Sequence, residues 1–212
     1  MCQGICRNDY RVIHNFNQLT KRLYIIAGCN GAGKTTASFT LLPEILDCKE
    51  FVNADEIAKG LSPFQPEKVA IEAGRLMLKR IDELITQKTN FAFETTLATK
   101  SYKNRILKAK ELGYHVILVF FWLQDIELAI QRVRQRVKEG GHNIEDDIIK
   151  RRYFNGIRNL FDIYSSIVDE IIIFDNSNRK SDLIAEKKNN STEVAVYNVD
   201  KFQLLKRYYY EK

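Results

Sequence analysis

Gly28-Cys29-Asn30-Gly31-Ala32-Gly33-Lys34-Thr35, near the start of the chain, has the spacing G-x-x-x-x-G-K-T. Such a loop surrounds phosphate oxygens with successive backbone N–H groups, and its glycines permit positive φ values and a close approach that a Cβ would block. Lys34 is expected to reach the β and γ phosphates of a nucleoside triphosphate, and the Thr35 hydroxyl is the expected Mg²⁺ ligand. The predicted nucleotide-binding residues of the loop are Gly28, Asn30, Gly31, Ala32, Gly33, Lys34, Thr35 and Thr36.

The sequence around the loop supports this interpretation, because the motif is meaningful only between a strand and a helix. Residues 23–27 are a short apolar run rich in strand-forming residues, and residues 37–46 carry helix formers with apolar positions three and four apart. A helix that begins near Gly33 would direct the positive end of its dipole at the phosphates. The alternative is a glycine-rich turn followed by a lysine by chance.

The composition is that of one globular α/β domain. The chain has 212 residues, of which 45% are hydrophobic and 28% charged, and it contains no apolar run of membrane-spanning length. The first residues lack the apolar region of a signal peptide. Four cysteines without paired metal-ligand spacing argue against a disulfide framework and for the reducing cytosol, so a cytoplasmic protein without a membrane association is expected.

The alternation of predicted strands and helices favours a three-layer α/β fold of the P-loop NTPase or kinase type, with a mainly parallel five-stranded sheet. The predicted strands are 23–27, 50–53, 90–96, 114–123 and 171–174. A helical lid is expected after the fourth strand, and a small hairpin turning at Asn189-Asn190, followed by a helix, is expected at the C-terminus. We predict an N-terminal extension at 1–21, a P-loop kinase-like domain at 22–178 and a C-terminal appendage at 179–212.

Acidic residues lie at the carboxyl ends of two predicted strands, at the edge of the sheet where open α/β folds bind ligands. Asp55 is the candidate general base for an alcohol acceptor, although aspartate at this place also suits a helix N-cap. Glu94 could hold Mg²⁺ through water or bind acceptor hydroxyls, and the alternative is a solvated strand end. Thr95 and Thr96, which follow it, are candidate contacts for a polar acceptor.

Arginines on two predicted helices suggest a lid. Arg132 and Arg136 lie four residues apart on one helix face, Arg151-Arg152 lie on the next helix, and Gly140-Gly141-His142 lies between the two helices. Helices that carry arginines and are joined by a glycine hinge can close on a triphosphate and supply charge in the transition state. The alternative for such a helix is an ordinary solvated face.

Six segments in order resemble the zeta-toxin-like P-loop kinases, more narrowly their compact bacterial branch. The segments are Gly28 to Thr35, Val52 to Ala58, Phe91 to Leu97, Arg132 to Arg136 with Gly140-Gly141-His142, Arg151-Arg152-Tyr153 and Asp175-Asn176-Ser177. The resemblance covers about residues 22–178, and the tail beyond residue 178 has no counterpart that can be placed.

The resemblance implies a kinase that uses ATP or GTP with Mg²⁺ and transfers the γ-phosphoryl group to a hydroxyl of a small molecule. The best-known zeta toxins phosphorylate the 3′-hydroxyl of UDP-N-acetylglucosamine, and an antitoxin protein is the partner it suggests. By position, Asp55 matches the family's base and Lys34 its phosphate lysine. Arg136 and one of Arg151 or Arg152 match its lid arginines, and Asn176 is expected at the nucleotide. The predicted catalytic residues are Lys34, Asp55, Arg136 and Arg151.

Two other classes of function remain open at the level of sequence. A P-loop ATPase without kinase activity is disfavoured because the chain has no L-S-G-G-Q signature and no apolar strand ending in Asp-Glu, and a guanine-specific switch would need an absent N-K-x-D motif. A nucleic-acid-associated NTP-binding protein would use the net charge of +6 and the segment Arg207-Tyr208-Tyr209-Tyr210. The same charge suits a polyphosphate pocket, so a nucleic-acid partner is not expected.

Overall fold

The computed structural model describes residues 20–44, 46–141, 143–178, 180–188 and 193–210. Its strands are β1 Arg22–Gly28, β2 Glu50–Val52, β3 Phe91–Thr95, β4 His115–Trp122, β5 Glu170–Asp175, β6 Asp182–Lys187 and β7 Ala195–Val196. Its α-helices are α1 Lys34–Glu44, α2 Ala54–Leu61, α3 Ala70–Thr86, α4 Lys103–Glu111, α5 Ile126–Lys138, α6 Asp146–Asn159, α7 Ser165–Ile167 and α8 Val199–Tyr210. A 3₁₀ turn at Pro66–Val69 precedes α3, and a π-helical turn at Leu160–Tyr164 joins α6 to α7. Within these residues no helix is both long and apolar enough to cross a membrane.

One mixed sheet forms the centre of the molecule, in the order β2-β3-β1-β4-β5-β6-β7. The five strands predicted from the sequence are present and parallel to one another. The predicted count of five is nevertheless too low, because β6 pairs antiparallel with β5 and β7 pairs antiparallel with β6. The backbone N–H and C=O groups on the outer edge of β5 would otherwise lack partners, and β6 supplies them. The predicted turn at residues 189 and 190 lies outside the described residues.

The strand order places a binding crevice beside β1. The chain leaves β1 toward β2 and β3 on one side and then returns to β4 and β5 on the other side. In such sheets ligands bind outside the carboxyl ends of the strands at the point where the order reverses. The central strands are buried on both faces, as predicted for β4, and residues 23–27 of β1 are at most 1% exposed. The residues that follow β1, β2 and β3 therefore reach one edge from a rigid base.

Helix α6 packs closely against the end of β3 at Gly156, so a substitution at this residue tests the packing. A Cβ at Gly156 would lie 2.7 Å from the Thr96 carbonyl oxygen. Overpacking against backbone typically costs about 1–3 kcal/mol, which exceeds the helix-propensity gain of about 1 kcal/mol that alanine brings. We therefore expect Gly156→Ala to lower the melting temperature by a few degrees, at about 2–4 °C per kcal/mol for a chain of this size.

Gly74→Ala in α3 is the matched control, because among the described residues no atom outside the local helix backbone lies within 4 Å of a Cβ at Gly74. That variant is expected to melt at or above the wild-type temperature. Thermal unfolding of both variants by circular dichroism decides the matter. Equal stabilisation by the two alanines would contradict a close contact at Gly156.

Candidate active site

The glycines of the loop between β1 and α1 hold conformations that other residues rarely adopt. Gly31 and Gly33 both have φ near +79°, and Gly28 has φ near +141°. A Cβ at Gly28 would lie 2.2 Å from the Phe121 carbonyl oxygen, and a Cβ at Gly33 would lie 2.6 Å from Asn176 Nδ2. The strand, loop and helix follow one another as the motif requires, with α1 beginning at Lys34. The predicted phosphate-binding loop is therefore formed in the structure.

The segment after β5 fixes the position of this loop. The Asn176 side chain donates from Nδ2 to the Ala32 carbonyl oxygen at 2.6 Å. The Arg132 guanidinium donates to the carbonyl oxygens of Asn176 and Ser177, each at 2.8 Å. Arg132 also lines the pocket in front of the loop. Arg132 and Asn176, both predicted to bind nucleotide, thus lie at the loop and hold its backbone.

Glu94 connects the two predicted phosphate and metal residues. Thr35 donates from its hydroxyl to Glu94 Oε2 at 2.8 Å. Lys34 Nζ lies 3.5 Å from Glu94 Oε1 and donates to the Cys29 carbonyl oxygen at 2.9 Å. The Lys34 and Glu94 side chains are only 6% and 12% exposed, so Glu94 is not a solvated strand end. A hydroxyl and a carboxylate are the hard oxygen donors that suit Mg²⁺.

Asn53, which the sequence analysis did not single out as a site residue, organises the start of α2. Its Oδ1 accepts from the backbone N–H groups of Asp55 and Glu56, and its Nδ2 donates to Glu94 Oε2 at 2.9 Å. Asn53 is therefore the N-cap of α2, and the alternative that Asp55 caps this helix is wrong. The signal was present in the sequence, because asparagine is as good an N-cap as aspartate. Asp55 lies in the first turn with its carboxylate available to the pocket.

One pocket of about 250 Å³ collects the predicted residues. Its lining residues are Asn30, Gly31, Gly33, Lys34, Thr35, Thr36, Asp55, Glu94, Arg132 and Arg136. The residues predicted to bind phosphate, a candidate base and cationic side chains therefore face the same space. Gly28 and Ala32 are buried in the loop and do not line the pocket.

The predicted lid arginines differ in their positions. Arg136 Nη1 lies 4.0 Å from Asp55 Oδ2, and its Nε and Nη2 are buried without a hydrogen-bond partner among the described residues. Arg152 Nη1 donates to Asn30 Oδ1 in the loop at 3.1 Å. Burial lowers the pKa of Arg152, while the negative charge of Asp55 acts in the opposite direction.

Arg151, Thr95 at the end of β3 and Thr96 directly after it do not line the pocket. Arg151 is exposed, and neither Arg151 nor Arg152 belongs to the pocket lining. Neighbouring residues on a helix point about 100° apart, and it is Arg152 that reaches Asn30. The Thr95 hydroxyl accepts from the Leu97 backbone N–H at 2.9 Å, and this side chain is buried. Thr96 does not line the pocket either, and its carbonyl oxygen packs against Gly156. Thr95 and Thr96 thus shape the turn after β3, and Arg152 rather than Arg151 contacts the loop.

The sequence profile of the family described as Zeta toxin matches residues 9–198 of this chain. The chain belongs to the zeta toxin family. A protein of Haemophilus influenzae (strain ATCC 51907 / DSM 11121 / KW20 / Rd), described as an uncharacterized protein, is 37% identical over 128 residues, which are 59% of this chain and 88% of that protein. The family resemblance inferred from the sequence is therefore confirmed.

Two solved structures have a fold similar to that of this zeta toxin family chain. The AvrRxo1-ORF1:-ORF2 complex with ATP matches with a TM-score of 0.70 and 17% identity over 89% of this chain. The chain spans 64% of the length of that structure. A structure of the PezAT chromosomal toxin-antitoxin system of Streptococcus pneumoniae matches with a TM-score of 0.62 and 17% identity, over 94% of this chain and 91% of that chain.

Proposed function

We propose that this protein is a nucleoside-triphosphate-dependent kinase that transfers the γ-phosphoryl group to a hydroxyl of a small molecule. The observation that supports this most is the single pocket that contains the phosphate loop, the Thr35–Glu94 pair, Asp55 and Arg136. Phosphoryl transfer depends mainly on positioning and on neutralising charge, and this pocket has groups suited to both tasks. The ATP in the AvrRxo1 complex supports ATP as the nucleotide, with GTP as the alternative.

The loop would bind the triphosphate through its backbone N–H groups and the positive end of α1. Lys34 is held at the loop by the Cys29 carbonyl oxygen and Glu94, and from there it would neutralise charge on the β and γ phosphates. The Thr35 hydroxyl and Glu94 would hold Mg²⁺, which supplies further neutralisation of phosphate charge.

Asp55 would orient the acceptor hydroxyl and accept its proton as the new phosphate ester forms. Its place in the first turn of α2 leaves the carboxylate free of a capping role. Arg136 contributes a cationic group whose buried N–H donors have no partner in the described part of the chain, and a departing γ-phosphoryl group carries the oxygens that would accept from them.

The acceptor and the protein partner follow from the family. A UDP-N-acetyl sugar is the first acceptor to test, since the best-known zeta toxins act on UDP-N-acetylglucosamine. An antitoxin is the partner that the PezAT toxin-antitoxin structure suggests, and a cytoplasmic location is part of the same proposal.

The deciding experiment incubates the protein with γ-labelled ATP, Mg²⁺ and a panel of hydroxylated metabolites that includes UDP-N-acetylglucosamine. We expect label in one metabolite, identified by mass spectrometry, and no such product with Lys34→Ala. Release of inorganic phosphate with every member of the panel, and label in none, would favour the ATPase without kinase activity.

Arg136→Ala is expected to lower the turnover number more than it weakens nucleotide affinity. The Arg136 charge matters most as the γ-phosphoryl group departs, and loss of one such group typically costs about 100-fold or more in rate. Steady-state kinetics and calorimetric titration with Mg·ATP measure the two quantities. Arg134→Ala is the matched control on α5, because Arg134 is 65% exposed and forms a surface ion pair with Asp146. A loss of affinity equal to the loss of turnover would contradict this role.

A further inference from the structure

An ion pair with a buried carboxylate links the C-terminal helix α8 to the turn beside the phosphate loop. Asp175, the last residue of β5, is 1% exposed. Its Oδ2 lies 2.7 Å from Nζ of Lys201, a residue in the first turns of α8. Lys201 also pairs with Asp182 at 2.8 Å, but the Asp182 side chain is 47% exposed. Lys201 thus joins a buried carboxylate to a helix that is distant in sequence from the phosphate loop.

The second oxygen of Asp175 shapes the turn that holds the phosphate loop. Oδ1 accepts from the Ser177 backbone N–H at 2.9 Å and from the Ser177 hydroxyl at 2.6 Å. Within this turn, the Ser177 carbonyl oxygen accepts from Arg132, and the Asn176 side chain donates to the Ala32 carbonyl oxygen. A continuous series of contacts therefore runs from Lys201 through Asp175 and the turn to the backbone of the loop.

The charges of this pair depend on each other. Burial acts to raise the pKa of Asp175, but hydrogen bonds from Lys201, Ser177 and Gln124 outweigh it and hold this pKa below its ordinary value. Burial acts to lower the pKa of Lys201, but the two carboxylates that it contacts outweigh this and raise it. If Lys201 is removed, fewer interactions offset the cost of burying the Asp175 charge. The turn at residues 175–177 must then accommodate that charge.

We propose that Lys201 is a positioning residue for the phosphate loop, so that docking of α8 and binding of nucleotide support each other. The part that concerns nucleotide rests on the proposed function. The part that concerns the loop rests only on the contacts between α8, the turn and the loop. Because coupling between two sites is reciprocal, nucleotide should also stabilise the docked position of α8.

Lys201→Met, compared with Lys206→Met on the same helix, tests the proposal. Lys206 Nζ lies 5.0 Å from the centre of the Phe202 ring, and this residue serves as the control. In nucleotide-free Lys201→Met, hydrogen exchange of residues 29–36 is expected to be about tenfold faster than in the wild type. The affinity of this variant for Mg·ATP, measured by calorimetry, is expected to be about tenfold weaker. Both changes are within the range found for coupled sites. Lys206→Met and Asp182→Asn should match the wild type in both measurements.

A double-mutant cycle separates positioning from simple stability. Asp175→Asn in the Lys201→Met background removes the uncompensated charge, so it should restore part of the slow exchange at residues 29–36, and the two changes should not be additive. If Lys201→Met lowers the melting temperature but leaves exchange of residues 29–36 at the wild-type rate, the proposal is wrong. If Lys201→Met does not fold, Lys201→Gln replaces it under the same criterion. A wild-type protein that fails to bind Mg·ATP would contradict the proposed kinase function, while hydrogen exchange would still decide the role of Lys201.

Discussion

Replacement of Asp55 by asparagine is expected to lower phosphoryl transfer by about 100-fold or more, with the melting temperature and the affinity for Mg·ATP close to those of the wild type. The substitution keeps the size of the side chain and removes its basicity. Helix α2 keeps its N-cap, because Asn53 performs that role. The ion pair between Asp55 and Arg136 spans 4.0 Å between side chains that are 45% and 41% exposed, so its loss should change stability little.

Glu56→Gln is the matched control for Asp55→Asn. Glu56 is the next residue in the same helical turn, it pairs with Lys59 at the surface, and it is not part of the pocket lining. Product formation, ATP affinity and thermal unfolding should be measured on the same preparations. Full activity of Asp55→Asn would remove Asp55 from the mechanism and direct attention to Glu94. A loss well below 100-fold would favour orientation of the acceptor over proton abstraction, because the transition state of phosphoryl transfer is loose.

Lys34→Ala is expected to weaken Mg·ATP affinity by tens- to hundreds-fold. Loss of the charge-assisted contacts of one lysine to phosphate corresponds to about 2–3 kcal/mol, and each 1.4 kcal/mol is about tenfold in affinity. Lys34 is buried at the loop. Its ammonium contacts the Cys29 carbonyl oxygen and Glu94, and these contacts hold it beside the pocket. Calorimetric titration measures the change directly.

Two comparisons make the Lys34 result specific. Lys34→Met fills more of the space of the lysine stem and should lose similar affinity if charge is the cause. Lys59→Ala removes an exposed lysine of α2 that pairs with Glu56 at the surface, and this variant should bind Mg·ATP as the wild type does. Unchanged affinity in Lys34→Ala would mean that the loop does not bind the nucleotide as proposed.

The phosphate loop could be predicted because its conformation depends on residues that are close together in the sequence. Gly31 and Gly33 need positive φ values within a few residues of one another, and the flanking strand and helix have their own apolar patterns. The meeting of Asp55 and Glu94 at one pocket was also predictable, because the carboxyl ends of parallel strands reach the same edge of a sheet. Both inferences need only the order of elements along the chain.

Other features could not be predicted from the sequence. They depend on which of two similar nearby residues makes a contact, or on contacts between residues that are far apart along the chain. Arg151 and Arg152 are indistinguishable in sequence, and only the rotation of α6 against the loop brings Arg152 to Asn30. Asn53 and Asp55 are both good capping residues, and the backbone conformation at the start of α2 selected Asn53.

The amino-acid sequence by itself determined a strand, glycine-rich loop and helix built for phosphate, an alternating α/β order, and membership of the zeta toxin family. Only the tertiary structure decided that β6 and β7 extend the sheet beyond β5 and that Lys201 in α8 pairs with Asp175. The physical reason is that local backbone preferences and side-chain periodicity depend on residues that are neighbours in the sequence. In contrast, the partner of a sheet edge or of a buried charge depends on the free energy of burying groups that are far apart along the chain.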